Sequence, residues 1–455
     1  MRRNIPHTAG CRAGCDTIHG RSGTLYRDRR LRVGSRQTLH IPFGQKMQRA
    51  LQLGRLEYCI SDGSLRRRQR IARRWAVRRK QEKSMTLVVS RYNYAEQFGP
   101  SFDRLVEHIG AQILEGRYIL TEEVQHFESA FACYLDTGHT IGLNSGTDAL
   151  IIAMMALGIR PGDEVITQAN TFYATVAAIC LLGATPVLVD ANPRTFLMDV
   201  DQVEHAITPR TRAILPAHLF GACTPMDALL RLCRIHSLNL VEDAAQCHGA
   251  RFLGKRAGTF GEVGCFSFHP SKNLAAAGDA GACVTDSAVL ADKMRVIRGL
   301  GQRKQNEHVA LGLNSKLDSI QAAILAWKLP LLDAWNESRR QIAASYRDQL
   351  TGTPLAFQET PSGSTNVYHL FQIKTDARDD LLGYLTRAGI DAVVRYPQPI
   401  HLQPAFNAQR WNQGQFPVAE NLAATTLCLP MRPDMSEAEI NTVCSVVRSF
   451  YGAGT

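Results

Sequence analysis

Three short stretches hold residues of the types that could bind an anion and a reactive carbonyl together. GLNSGTDAL at 142–150 sets small residues, Gly146 and Thr147 among them, just ahead of an apolar helical run. Free backbone N–H groups and the positive end of a helix dipole hold an anion such as phosphate at such a start. NLVEDAAQ at 239–246 carries Glu242 and Asp243 at the end of a β-rich run. A carboxylate at the C-terminal end of a parallel strand lies where ligands of open α/β sheets bind. CFSFHPSKN at 265–273 puts Ser267 on a strand and Lys272 in the loop directly after it. Alone, each has a plainer use: SGT and Asp243 as helix caps, Lys272 as a solvated surface residue. Together they are what pyridoxal 5′-phosphate (PLP) requires. The lysine binds the cofactor covalently, and the acid keeps the pyridine nitrogen protonated so that the ring acts as an electron sink.

Positioning them calls for strand ends and helix starts, and the chain from Met85 onward supplies both. EVITQ (164–168), PVLVD (186–190), RAILPA (212–217), NLVED (239–243), CFSF (265–268) and GACVT (281–285) read as strands. Helical runs such as 147–158, 174–182 and 226–236 lie between most of them. Earlier, Phe102, Leu105, Val106, Ile109 and Ile113 fall at helical spacing, as do Val124, Phe127 and Phe131. Strand–helix alternation of this kind predicts a mainly parallel sheet covered by helices on both faces. A helical stretch from about 317 to 350, interrupted near Pro330, leads to a smaller α+β region with strand-like HLFQIKT and helical 378–388 and 436–450. The expected division is a basic extension over 1–84, a large α/β domain over 85–337 and a small C-terminal domain over 338–455.

Charge and composition remove other function classes. The net charge of +11 is misleading. Residues 1–84 hold 22 Lys+Arg against 5 Asp+Glu, which leaves 30 basic and 36 acidic residues in 85–455. RRRQRIARRWAVRRK (66–80) has the charge of a nucleic-acid arm or a basic amphipathic helix. Without sustained apolar periodicity, 1–84 reads instead as a disordered segment, and the abrupt change at Met85 is that expected of a downstream start. No basic patch runs through the rest, so nucleic acid is not an expected partner. The apolar stretch 174–189 carries Thr, Gly and Pro and is too short to span a bilayer. The twelve cysteines include no C-x-x-C pair and no apolar leader follows Met1, so a reducing cytoplasm is expected. There is no G-x-x-x-x-G-K-[ST], no strand–G-x-G-x-x-G–helix and no His/Cys/carboxylate set at metal-ligand spacing.

From about residue 90 to 450 the chain resembles the DegT/DnrJ/EryC1/StrS family of PLP-dependent sugar aminotransferases. GRYIL, NSGTDAL, GDEVI, EDAAQ, FSFHPSKN, NSKLDSIQAA and YPQPIHLQPAF occur in the family's order and at about its spacing. The last two forms are most similar to members acting on 3-keto nucleotide sugars. The resemblance implies PLP-dependent transferase fold type I, which is aspartate-aminotransferase-like. It implies that Lys272 carries the cofactor and shuttles protons, that Asp243 pairs with the pyridinium nitrogen, and that Gln246 lies near the ring hydroxyl. Phe172 would stack on the ring, although a core Phe at a helix start is the plainer reading of that residue. Gly146, Thr147 and Ser267 would hold the phosphate, with Asn314, and Lys316 where many relatives have Arg, completing it from a neighbouring subunit of a homodimer. Some relatives carry His at the lysine position and dehydrate sugars; Lys272 keeps the transaminase reading.

The implied reaction moves an amine from an amino acid, glutamate or glutamine by family habit, to a keto group on a nucleotide-linked deoxy sugar, a 3-keto-6-deoxyhexose first. A 4-keto sugar, a UDP-linked 3-keto uronic acid or a cyclitol ketone is the nearer alternative, and a non-enzymatic PLP or nucleic-acid binder the further one. Substrate contacts are expected from Tyr396 and His401 on the Pro-punctuated loop of YPQPIHLQPAF, and from Tyr118 in GRYIL. The alternative for the first two is that they pack the loop onto the large domain.

Overall fold

A computed structural model describes residues 88–99, 102–409 and 411–452, so the expectations for 1–84 lie outside the described residues. The alternation becomes a seven-stranded sheet. β1 (His139–Leu143), β2 (Glu164–Gln168), β3 (Thr185–Val189), β4 (Thr211–Ile214), β5 (Asn239–Asp243), β6 (Val263–Ser267) and β7 (Gly281–Thr285) lie in the order β1-β7-β6-β5-β4-β2-β3. β7 runs against both neighbours, and the other pairings are parallel. β1 has no counterpart among the predicted strands. Its run is short and holds Gly142, where a Cβ would lie 2.8 Å from the Leu317 side chain. Packing of Leu317 against the strand thus selects a residue that weakens the strand signal.

Alternation along the strands sends neighbours to opposite faces. Ile166, Ile214, Leu240 and Phe266 enter one core with Val124, Phe127 and Phe131 of α2 (Glu122–Leu135) and Leu229 of α5 (Met226–His236). Val165, Ala213, Val241 and Cys265 enter the other with Ile152 of α3 (Gly146–Ala156), Ile179 of α4 (Tyr173–Leu181) and Met294 of α6 (Ala288–Arg298). Phe131 meets Phe266 and Phe268 edge-on at 5.1 and 5.3 Å. Truncating so enclosed a ring to Ala costs about 3–5 kcal/mol. α1 (Phe102–Glu115) precedes α2, at the residues whose spacing predicts it. The apolar run 174–189 resolves into α4, a turn and β3, and no described helix is long and apolar enough to cross a membrane.

α7 (Ser319–Lys328) and α8 (Leu332–Gln349) are separated by a 3-10 turn over Leu329–Leu331, which contains Pro330. The ring removes a helix donor there, which is why the long helix breaks where the sequence predicts. Beyond α8, β8 (Ala356–Phe357), β9 (Phe371–Lys374) and β10 (Thr426–Leu429) form an antiparallel sheet. α9 (Arg378–Arg387) and α11 (Glu437–Phe450) cover it with a core of Tyr346, Phe371, Leu385 and Val443. Ser436 and Glu439 close a capping box at the start of α11. Between α9 and β10, the chain over 395–409 returns to the sheet's strand ends. Ile400 donates to the Ala169 carbonyl at 3.1 Å, and the first amides of α10 (Pro417–Thr425) donate to the Asp190 carboxylate.

Candidate active site

At the end of β5 two adjacent carboxylates face opposite sides of the sheet. Glu242 is fully buried and accepts from the amides of Gly258, Phe260 and Gly261 at 2.6–2.8 Å, with His218 Nε2 at 3.0 Å. Those donors saturate it, so it holds a turn and faces no ligand. Asp243 faces the cleft. Its Oδ2 accepts from the Thr175 hydroxyl at 2.7 Å and its Oδ1 from the Ala245 amide at 3.2 Å, which fixes the carboxylate plane. Thr175 reaches it from the first turn of α4.

β6 delivers Lys272. After Ser267 the chain turns, with the Lys272 amide donating to the His269 carbonyl at 2.8 Å. Asn273 then anchors the loop, donating to Asn336 of α8 at 2.9 Å and to the Val367 carbonyl at 3.0 Å. Burial pushes the Lys272 amine down to about 8; Arg395 acts in the same direction and Asp243 opposes. About a tenth of the amine is therefore neutral at pH 7, far more than for an ordinary lysine. His248, behind the same loop, lies fully buried between Phe266 and Phe268 and is held neutral, its pKa pushed down to about 3 chiefly by burial.

The anion end of the cleft is the start of α3. Ser145 caps it, accepting from the Asp148 amide at 3.1 Å, which leaves the amides of Gly146 and Thr147 without intrahelical partners. A Cβ on Gly146 would lie 2.5 Å from the Ser267 Cβ, so only glycine lets the helix start approach Ser267. Phe172, at the N-cap of α4, leaves 47% of its surface exposed although the residues after it are mostly buried; it lines the cleft. Gln246 accepts the Phe220 amide at 2.8 Å and donates to the Tyr396 hydroxyl at 2.6 Å. Burial raises Tyr396 to about 12, so its phenol keeps its proton and is free to donate it to a ligand. The cleft encloses about 260 Å³ with Asp243, Lys272, Gly146, Thr147, Ser267, Phe172, Gln246 and Tyr396 on its walls.

Those residues fit PLP. A strand-end acid, a half-exposed aromatic face, a helix start that a Cβ would block and a partly neutral lysine converge on one space. Three further candidates stand elsewhere. His401 is buried, with Nε2 2.9 Å from Glu420 and its ring edge-on to Phe416 at 4.9 Å; it is outside the cleft lining and packs within the C-terminal region. Tyr118 donates to the Ile113 carbonyl at 2.7 Å. Its own carbonyl accepts from Ser319, and Ile119 bridges Asp318. Asn314 is exposed, with Lys316 donating to its side chain. Tyr118 and the 314–318 segment therefore sit together around the start of α7, outside the cleft lining, with Ser315 donating to Asn144 at 3.0 Å just ahead of the start of α3.

Sequence reasoning missed Thr175, His269, Ser271 and Arg395 at the cleft. Thr175 sits three residues after Phe172, as a helix start facing the strand end requires. Arg395 directly precedes the Tyr-Pro of the C-terminal motif, yet a lone arginine in a loop carries no signal of its own.

Residues 104–448 match the DegT/DnrJ/EryC1/StrS aminotransferase family. A dTDP-3-amino-3,4,6-trideoxy-alpha-D-glucose transaminase of Streptomyces venezuelae is 44% identical over 342 residues, covering 75% of this chain and 90% of the relative. Among solved structures, S. venezuelae DesV in complex with ketimine intermediate is 41% identical, with a TM-score of 0.78 over 81% of this chain and 99% of that one. NtdA of Bacillus subtilis with bound cofactor PMP is 30% identical, with a TM-score of 0.75 over 82% and 87% of the two chains.

Proposed function

The chain belongs to the DegT/DnrJ/EryC1/StrS aminotransferase family, and from that premise we propose that it aminates the 3-keto group of a nucleotide-linked 6-deoxyhexose. It is a PLP-dependent sugar aminotransferase of the aspartate-aminotransferase-like fold. The amine comes from glutamate or glutamine. The 3-position is supported by the relative that acts as a dTDP-3-amino-3,4,6-trideoxy-alpha-D-glucose transaminase. The observation that carries the chemistry is that Asp243 and Lys272 line one cleft whose far wall is the open start of α3.

When bound, PLP supplies an electrophilic carbon for an amine and a protonated ring that stabilises negative charge on the adjoining carbon. The Gly146 and Thr147 amides with the Ser267 hydroxyl hold its phosphate. Asp243, braced by Thr175 and Ala245, accepts from the pyridine nitrogen. Phe172 covers a ring face, and Gln246 and Tyr396 form a polar edge. Lys272 takes a proton at Nζ when neutral and returns it when charged, and a pKa near the working pH suits both directions.

The site is completed by a second copy of the chain. Tyr118, Asn314 and Lys316 lie at the start of α7 outside their own cleft's lining, with Tyr118 and Asn314 exposed, as residues serving a neighbour's phosphate and sugar would. The free, mostly buried thiols among the described residues suit a cytoplasmic enzyme. The test is a panel of 3-keto and 4-keto sugar nucleotides, dTDP- and UDP-linked, given to protein carrying the aminated cofactor. The proposal expects fastest return of the aldehyde-form spectrum with a 3-keto-6-deoxyhexose. Preference for a 4-keto sugar or a cyclitol ketone would overturn the substrate reading.

A further inference from the structure

A second, narrower space opens from Lys272 and Ser271 toward the C-terminal part of the fold. It encloses about 30 Å³, against about 260 Å³ for the first. The two share Ser271, Lys272 and Arg395, so Arg395 stands where they join. Four arginines line the narrow space, and three of them are already engaged. Arg91 pairs with Asp391 at 2.9 Å, and Arg432 pairs with Asp434 and Glu439. Arg339 is buried and donates through Nη1 to the carbonyls of Tyr368 and Met431 at 3.1 Å each. Arg395 meets no carboxylate or carbonyl among the described residues, although it is half-buried. A partly desolvated guanidinium beside a lysine is unfavourable until an anion joins it.

We propose that Arg395 receives the α-carboxylate of the amino donor, which makes the narrow space the donor's subsite, opening beside the wider cleft whose walls suit the cofactor. The inference rests on the aminotransferase reading above. Geometry selects the anion. In an α-amino acid the carboxylate is bonded to the carbon that carries the reacting amine. Once that amine is at the position Lys272 serves, the carboxylate must fall beside the lysine, where Arg395 stands. In a nucleotide sugar the first phosphate is several bonds from the keto carbon and extends away from the reacting atoms. The narrow space also suits a carboxylate better than a diphosphate and its nucleoside. A guanidinium fork binds a carboxylate through two parallel hydrogen bonds, fixing the direction of the α-carbon as well as its distance.

Arg395→Gln tests this in the full-length holoenzyme, with borohydride trapping of PLP showing that the cofactor site survives. Three readouts are compared: donor concentration dependence in the first half-reaction, rate of the keto-sugar half-reaction, and calorimetric binding of 2-methylglutamate, which lacks the α-hydrogen and so does not complete the reaction. The expected result is a rise of about 10- to 100-fold in the glutamate concentration needed, with a like loss of 2-methylglutamate affinity. The variant should also treat glutamate and its α-carboxamide nearly alike, where the native protein favours glutamate. Arg395→Lys should fall between the two, since it keeps the charge and loses the fork. Unchanged glutamate dependence in Arg395→Gln, or a loss confined to the keto sugar, would overturn the assignment and leave the aminotransferase reading standing. Native protein that accepts no amino acid at all would overturn both.

Discussion

The two ends of the cleft are built differently. The cofactor end is made from strand termini and helix starts, with Asp243 closing β5, Ser267 closing β6 and Gly146 opening α3. The other end is made from a loop over 395–409 that contributes Tyr396 and Arg395 but turns His401 inward. A strand fixes side-chain direction by alternation, so adjacent residues have opposite fates. Glu242 and Asp243 show it: one is saturated by three amides and His218, the other faces the ligand. A loop has no such rule. There, what a residue does is decided by partners such as Glu420 and Phe416, whose sequence positions say nothing about it.

The contrast can be broken at three positions, in descending order of effect. Asp243→Ala should lower transamination by about 10²- to 10⁴-fold while cofactor binding weakens much less. Near-normal turnover in pre-steady-state assays would show that another group does this work. Glu242→Gln should instead act on folding, lowering stability by about 3 kcal/mol in urea titrations, since one acceptor oxygen is lost from a fully buried set of donors. A selective loss of turnover with native stability would mean that the two carboxylates are not separated as described. His401→Ala should be the mildest, about 1–3 kcal/mol of stability, with both half-reactions affected alike. A loss confined to the keto-sugar half-reaction would return His401 to the substrate.

This also explains how much was legible beforehand. The parallel strands, their covering helices, the break at Pro330 and the convergence of Asp243, Lys272 and Gly146 follow from periodicity and from where open α/β sheets bind ligands. The strand β1 and the reversed direction of β7 did not, because Gly142 answers to Leu317 across the fold and strand direction leaves no local trace. Phe172 was ambiguous for the same reason: a helix-start Phe reads alike whether it faces a core or a cleft. Arg395 was invisible because its meaning lies in the missing partner.

The central claim is that Lys272 is the amine that captures PLP. The direct measurement is borohydride reduction shortly after PLP is added to the cofactor-free protein at a series of pH values, followed by peptide mapping. A depressed pKa leaves the neutral amine dominant above about 8, so capture should rise about tenfold per pH unit below that value and level off above it. The label should lie on Lys272 and vanish in Lys272→Ala. Label on another lysine, label that persists in Lys272→Ala, or capture that keeps climbing toward the ordinary lysine value of 10.5 would contradict the account.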